Sequence, residues 1–132
     1  MISHVYIGIT DFDRAFRFYA ALMDSLGHTL KFSDPQSSMA AWMKPGESRP
    51  LFVIGRPYDG QSVDSGNGNM VALLASSREC VDRTHAIALA QGGVCVGPPG
   101  LRPHYHPNYY GAYFRDLDGT KLCICCHDPV SS

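Results

Sequence analysis

Glutamate is scarce in this sequence of 132 residues, because only Glu47 and Glu79 occur beside ten aspartates. Long hydrophobic runs are missing as well, since no apolar stretch approaches the roughly 18–20 residues that cross a membrane. Neither sign of charge is in excess, because 11 basic and 12 acidic residues leave a net charge of −1. We therefore expect no membrane segment and no nucleic-acid partner.

The number and spacing of the cysteines do not fit a disulfide framework. The count of five is odd, and three of these residues, Cys123, Cys125 and Cys126, fall in one short segment. Strand neighbours point to opposite faces, and an i,i+2 pair is too far apart for easy bridging. The first 13 residues lack a basic region and predict a strand rather than a signal peptide. We expect a cytoplasmic protein with free thiols.

What is present is a packed core, since 45% of the residues are hydrophobic and 17% are charged. Residues 2–9 alternate as a half-buried strand, and apolar spacing predicts a helix over 11–26 that Gly27 ends. A capping box of Thr10 and Asp13 is expected to begin this helix. Three further strands are predicted near 28–33, 38–43 and 50–55.

The same order returns after a polar, glycine-rich linker at 57–69. A strand is predicted at 70–75, a capping box at Ser76 and Glu79, and a helix at 77–91. Three last strands are predicted near 94–97, 108–115 and 120–127.

The two halves repeat at an offset of 66 residues. At that offset Val5 matches Val71 and Gly27 matches Gly93. We therefore predict an α+β fold and one domain over 1–132, built from two βαβββ modules at 1–56 and 70–132. Each half is too small to bury its own sheet, so the halves are expected to pair into a curved mixed sheet around a concave cavity.

The segments HVYIGITDFDRAFRFYAALMDSLG (4–27) and YYGAYFRDLDGTKLCICCH (109–127) make the chain similar to the vicinal oxygen chelate superfamily. That superfamily includes glyoxalase I, bleomycin-resistance proteins, fosfomycin-resistance enzymes and extradiol dioxygenases. The family's Asp-Pro-Asp-Gly turn is present as Asp116 to Gly119, with Leu117 in place of proline. The resemblance implies helices on the convex face of the sheet, a ligand or metal on the concave face, and a homodimer.

Metal-binding relatives take one ligand from the first and last strands of each module, and this chain keeps few of them. His4 fits the first position, but Met70 replaces the second histidine. The strand at 51–54 is apolar, and Cys123 stands where the relatives carry glutamate. A divalent ion such as Zn, Ni, Mn or Fe at His4 and Cys123 therefore stays an open alternative that the missing ligands disfavour.

Each candidate residue in the strands also has a structural alternative. His4 is either a ligand or a hydrogen-bonded wall residue with Tyr6 as its neighbour. Cys123 is either a nucleophile or a small residue that packs a cavity floor, and it shares a strand face with Cys125 and His127. Trp42 and Met70 would bind substrate or fill the core.

The loop 98–110, PPGLRPHYHPNYY, is the most informative polar feature. Its prolines restrict the backbone, so its side chains can be presented at low entropic cost. Arginine, histidine and tyrosine together suit an anionic or aromatic small molecule. The loop is either a pocket rim or a dimer contact. Its candidates are catalytic Arg102 and His106 and substrate-binding His104, Tyr109 and Tyr110.

Three functions stay open from the sequence. The first is a glyoxalase-like lyase or isomerase that acts on a small oxygenated metabolite with a degenerate metal site. The second is a non-catalytic small-molecule binding protein of the bleomycin-resistance type. The third is a redox-responsive protein that uses the terminal cysteines.

Overall fold

The computed structural model describes residues 1–130, and the boundary between two compact units lies between Ser65 and Gly66. Each unit has the element order β-α-β-β-β, so the α+β class with two tandem βαβββ modules is confirmed. The first unit contains β1 (His4–Gly8), α1 (Phe12–Leu26), β2 (Thr29–Asp34), β3 (Met39–Met43) and β4 (Leu51–Gly55). The second contains β5 (Val71–Leu74), α2 (Arg78–Ala90), β6 (Val94–Leu101), β7 (Tyr110–Arg115) and β8 (Lys121–Cys126).

The first unit is a mixed four-stranded sheet in the order β1-β4-β3-β2. Strand β1 is parallel to β4, and the other pairs are antiparallel. Helix α1 covers one face, where Tyr19 lies 5.3 Å from the Phe52 ring and Phe16 lies 5.7 Å from the Trp42 ring. Because Val5 pairs with Phe52, the alternation of β1 places His4 and Tyr6 on the opposite face.

The second unit repeats this arrangement in the order β5-β8-β7-β6. Helix α2 packs its buried residues on one face of the sheet, where His85 meets Phe114 edge to face. Phe114 pairs with Leu122, so the alternating residues Tyr113 and Cys123 lie on the other face. We call the side opposite α2 the far face of the second sheet.

Both predicted capping boxes were placed one residue too early. The N-cap of α1 is Asp11, which accepts a hydrogen bond from the Arg14 amide at 3.1 Å. The N-cap of α2 is Ser77, which accepts one from the Cys80 amide at 3.0 Å. Adjacent capping-type side chains compete for this position, and the backbone conformation of the turn selects one of them.

The predicted loop 98–110 is also shorter than expected, because β6 continues to Leu101 through two prolines. Proline cannot donate to a ladder, but β6 is an edge strand with one neighbour. Its pairing with β7 shifts register between Cys95 and Gly97 and again between Gly97 and Gly100. These irregularities accommodate the prolines, so the true loop spans 102–109.

Neither helix described within residues 1–130 combines the length and the apolar composition needed to span a bilayer.

Candidate functional site

The far face of the second sheet holds most of the titratable side chains that the sequence singled out. Tyr113 pairs directly with Cys123 across the β7–β8 hairpin, and Gly111 pairs with Cys125. The loop 102–109 follows β6 and closes on itself, because the Arg102 amide donates to the Tyr109 carbonyl at 2.8 Å. This closure brings loop side chains to the strand residues.

Three glycines make room for the side chains on this face. A Cβ on Gly111 would lie 2.8 Å from Tyr109 Cε1, so the tyrosine ring rests directly on the strand. A Cβ on Gly97 would lie 3.0 Å from Tyr113 Cδ2, and one on Gly100 would lie 3.1 Å from Arg102 Nη1. The missing Cβ atoms allow this close approach of ring and guanidinium to the backbone.

The Arg102 guanidinium is held by two backbone carbonyls of β6. Its guanidinium donates to the Gly100 carbonyl at 2.9 Å and the Pro98 carbonyl at 2.8 Å, and it lies 5.5 Å from the Tyr113 ring centre. Lys121 Nζ lies 5.5 Å from the same ring. Within residues 1–130 no carboxylate is within ion-pair distance of either cation. The Tyr113 ring thus lies next to two cationic side chains that have no acidic partner in the described chain.

An aromatic cluster lies beside these cations. The Tyr109 ring contacts Tyr105 at 4.9 Å, His106 at 5.7 Å and His127 at 5.2 Å between centroids. His106 and His127 are stacked at 5.1 Å, and His104 lies 4.2 Å from Tyr105. Such rings offer stacking surfaces together with polar edges.

The histidines of this cluster have a defined hydrogen-bond direction. The backbone N–H of Asn108 can only donate, so His106 Nδ1 is its acceptor at 3.2 Å. The neutral His106 ring therefore carries its proton on Nε2. That Nε2 lies 2.8 Å from His127 Nδ1, which must accept. His127 therefore carries its proton on Nε2, 3.7 Å from Cys125 Sγ. The hydrogen bonds are therefore donated in one direction, from the loop through His106 and His127 to Cys125 Sγ on β8.

Hydrogen bonds lower the pKa of Cys123, whereas the pKa values of Cys125, Tyr109 and Tyr113 are raised. Tyr109 Oη lies 3.5 Å from Cys123 Sγ and 3.0 Å from Tyr113 Oη. The hydrogen bond from Cys125, followed by those from the two tyrosines, lowers the Cys123 pKa to about 6 against the opposing effect of burial. The same bond and burial raise the pKa of Cys125. Burial is the main cause that raises the pKa of Tyr109 and Tyr113.

Five predicted site residues lie here: Arg102, His104, His106, Tyr109 and Cys123. Others do not join them. Tyr110 lies on the helix side of the sheet, because its hydroxyl donates to Asp82 Oδ1 at 2.6 Å and Arg78 lies over its ring. Trp42 is 3% exposed and packs toward α1, so it is a core residue of the first unit. Neither residue is retained as a substrate contact.

The remaining candidates are described in their own surroundings. His4 Nδ1 lies 3.0 Å from Ser3 Oγ, and Tyr6 donates from its hydroxyl to the Arg56 carbonyl at 2.6 Å. Met70 precedes β5 and is exposed. His4 and Cys123 belong to different units, so the pairing of these two residues remains a prediction.

The donor set does not fit the divalent metal that the family implies. Of the four ligand positions, one holds a thioether at Met70 and one falls in the apolar strand β4. Cys123 is buried and already hydrogen-bonded to Tyr109. Among residues 1–130, no three His, Cys, Asp or Glu side chains are grouped closely enough to hold a metal ion. Hard ions need oxygen and imidazole ligands that these positions do not supply.

Sequence reasoning missed Tyr113, Lys121 and the glycine positions on the far face. One signal could have found Tyr113: a hairpin around the turn at residues 116–119 pairs 115 with 121 and therefore 113 with 123. The glycine contacts depend on where loop side chains rest, which no local pattern encodes.

Comparison with known proteins establishes the class of this chain. Residues 1–124 match the model of the Glyoxalase/Bleomycin resistance protein/Dioxygenase superfamily, and the chain belongs to that superfamily. A glyoxalase/bleomycin resistance protein from Albidiferax ferrireducens T118 has a similar structure, with 35% sequence identity and a TM-score of 0.83 over 97% of this chain and 99% of that one.

More distant structures share the fold. A glyoxalase-related enzyme from Fulvimarina pelagi has 19% identity and a TM-score of 0.72 over 100% of this chain and 93% of that one. A glyoxalase/bleomycin resistance protein/dioxygenase family enzyme from Burkholderia phytofirmans PsJN has 18% identity and a TM-score of 0.71 over 96% and 98%. The search of curated proteins gave no match.

Proposed function

We propose that this chain binds a small, anionic, oxygenated metabolite on the far face of the second sheet and transforms it by proton transfer, as a lyase or isomerase does. The observation that carries the proposal is the pair Arg102 and Lys121, which flank Tyr113 without an acidic partner in the described chain. A carboxylate or enolate oxygen would pair with either cation. Tyr105 and Tyr109 would supply the apolar contact.

The acid–base groups would be Tyr109 and Cys123, with His127 and His106 behind them. The Tyr109 hydroxyl lies between Tyr113 Oη and Cys123 Sγ. It can therefore transfer a proton between the bound ligand and the Cys123 sulfur. The histidine pair leads to Cys125, which lies two residues from Cys123 on the same face of β8. None of these roles requires a metal ion.

Binding is tested by titrating labelled protein with a panel of small hydroxy- and oxo-carboxylates and following amide NMR shifts. We expect saturable shifts on β7, β8 and loop 102–109. Lys121→Gln should weaken binding about tenfold or more, since a charge-assisted hydrogen bond is lost. Lys44→Gln is the matched control, because Lys44 is exposed, belongs to the first unit and pairs with Glu47 at 3.7 Å. Equal loss in both variants would contradict the proposed site.

Turnover is tested with the tightest ligand in deuterated water under reductant. A lyase or isomerase exchanges a carbon-bound proton of its substrate, and Tyr109→Phe should slow the exchange about 100-fold. Binding without exchange would favour the second candidate, a non-catalytic binding protein of the bleomycin-resistance type. The replacement of metal-ligand positions by Met70 and the apolar β4 favours that candidate.

Two wider assignments belong to the same proposal. By analogy with the superfamily we propose a homodimer that acts in the cytoplasm. Sedimentation velocity at several protein concentrations tests the first, since a dimer that persists on dilution is expected.

A further inference from the structure

Loop 102–109 is built from two successive turns of the same design. The Tyr105 backbone N–H donates to the Arg102 carbonyl at 3.0 Å, and the Tyr109 backbone N–H donates to the His106 carbonyl at 3.2 Å. A proline occupies the second position of each turn, where its fixed φ suits a β-turn. Because proline and a backbone hydrogen bond fix both turns, the tyrosine at the end of each is presented at low entropic cost.

The Tyr105 ring is exposed and yet held in place by its neighbours. Its centroid lies 4.2 Å from that of His104 and 4.9 Å from that of Tyr109. Both contacts are tilted, at 42° and 57° between the ring planes, and Tyr105 stays 61% exposed. The neighbouring rings therefore do not cover Tyr105 as parallel stacking would. An ordered, open ring of this kind is a surface on which another flat ring can stack.

A cation lies at the other end of the same turn. The first and fourth residues of a β-turn are within about 7 Å between Cα atoms, so Arg102 and Tyr105 are close neighbours. The bonds from Arg102 to the Gly100 and Pro98 carbonyls use two of the five N–H donors of its guanidinium, so three remain for a ligand carboxylate. One turn thus offers both a charge and a flat ring.

We propose that the ligand of the far face is an aromatic acid, whose carboxylate pairs with Arg102 and whose ring stacks on Tyr105. A molecule in which ring and carboxylate are joined directly or through a single carbon can reach both groups, because the two residues belong to one turn. This inference rests on the proposed function, since it names the chemical class of the anionic metabolite. It adds the requirement for a flat ring, which the two cations alone would not impose.

Aromatic and saturated acids differ in how they would pack on Tyr105. A saturated ring gains only the apolar area that it buries, whereas a flat ring adds the electrostatic attraction between two aromatic rings. This extra attraction corresponds to an affinity gain of about two- to tenfold. A saturated ring carries at least as much apolar surface, so burial alone would not favour the aromatic acid.

The test titrates labelled protein with matched acids and follows amide NMR shifts. The pairs are phenylacetate with cyclohexylacetate and mandelate with hexahydromandelate, whose members differ in the aromaticity of the ring. We expect the aromatic member of each pair to bind about fivefold more tightly and to shift the Tyr105 amide. Equal or weaker binding of the aromatic member would overturn the aromatic class and leave the proposed anion site in place. If neither member binds, the proposed function fails, and this inference fails with it.

Variants assign the preference to its residues. Tyr105→Leu should bring the ratio of the two dissociation constants close to one, because leucine keeps apolar area but has no ring. Tyr58→Leu is the matched control and should leave the ratio unchanged, since Tyr58 is an exposed tyrosine of the first unit. Arg102→Gln should weaken both members of a pair alike, by about tenfold.

Two results would contradict these residue assignments. One is a preference for the aromatic acid that survives Tyr105→Leu, and the other is binding that Arg102→Gln leaves unchanged. The ratio measured on the wild-type protein tests the aromatic class even if a variant fails to fold.

Discussion

At the scale of single residues, the contacts on the far face depend on glycines. Gly111 pairs with Cys125 and leaves the space in which the Tyr109 ring lies. Ordinary carbon contacts are about 3.5–4.0 Å, so the 2.8 Å approach of a Cβ at residue 111 to Tyr109 Cε1 cannot persist. The ring, and with it the hydroxyl near Cys123, would have to move.

We therefore predict that Gly111→Ala raises the pKa of Cys123 from about 6 toward that of an ordinary thiol. The physical reason is the loss of the Tyr109 hydrogen bond to the thiolate. Thiolate absorbance followed against pH measures the change. Gly8→Ala is the matched control, because its Cβ would meet Pro57 and Val63 only at 3.6 and 3.7 Å. A Cys123 titration that Gly111→Ala leaves in place would show that Tyr109 does not set it.

Tyr110 gives a second prediction, on pH dependence. Its hydrogen bond to Asp82, aided by burial, raises its pKa from 10.0 to about 12. A raised pKa of an acid means that the neutral form is stabilised, so the stabilisation is complete below pH 10 and is lost as pH rises through about 12. Tyrosinate absorbance of the folded protein should show this late titration. In Asp82→Asn the same titration should move down, and if it does not, the carboxylate is not the cause.

At the scale of elements, the helix ends distinguish two neighbouring serines. Ser77 accepts the Cys80 amide and Ser76 is an exposed neighbour. We predict that Ser77→Ala destabilises the protein by about 1 kcal/mol, whereas Ser76→Ala is nearly neutral. Urea unfolding of both variants against the wild type is the measurement. The reverse order of the two effects would restore the cap predicted from sequence.

Strand and helix order could be predicted from sequence because hydrophobic periodicity reports which face is buried. The predicted helix 11–26 begins one residue before α1 and ends at the same residue, and the predicted strand at 28–33 differs from β2 by one residue at each end. Periodicity fails where tertiary context decides. The prolines of β6 suggested a loop, and only the edge position of that strand in the sheet explains why they fit.

The site was less predictable for the same reason. Arg102, His106, Tyr109 and Cys123 could be selected by residue type, and the structure does bring them together. Tyr109 and Tyr110 are adjacent and look equivalent in the sequence, yet they lie on opposite faces of the sheet. Which of two adjacent residues lies on a given face depends on the residue at which the strand begins after the loop. An error of one residue in that position exchanges the two faces.

At the scale of the whole molecule, two modules of the same topology carry different chemistry. The registers of β1 with β4 and of β5 with β8 make Leu51 the counterpart of Lys121 and Val53 the counterpart of Cys123. Gly55 is then the counterpart of Cys125, and the Tyr6 side chain lies over it. The first module thus places apolar residues where the second places a cation and two thiols.

This asymmetry leads to a prediction on metal content. A family-type ion needs ligands from both modules, but β4 offers leucine, phenylalanine, valine and isoleucine, and Met70 offers a thioether. We expect untagged protein purified without chelator to carry far less than one equivalent of Zn, Ni, Mn or Fe by plasma mass spectrometry. Added ions should leave the thermal unfolding midpoint unchanged, since a ligand stabilises a protein only when it binds the folded state. An occupancy close to one, lost in His4→Ala and in Cys123→Ala, would instead establish the two-residue site that the sequence left open. It would also move the chemistry of this chain from the tyrosines to the metal.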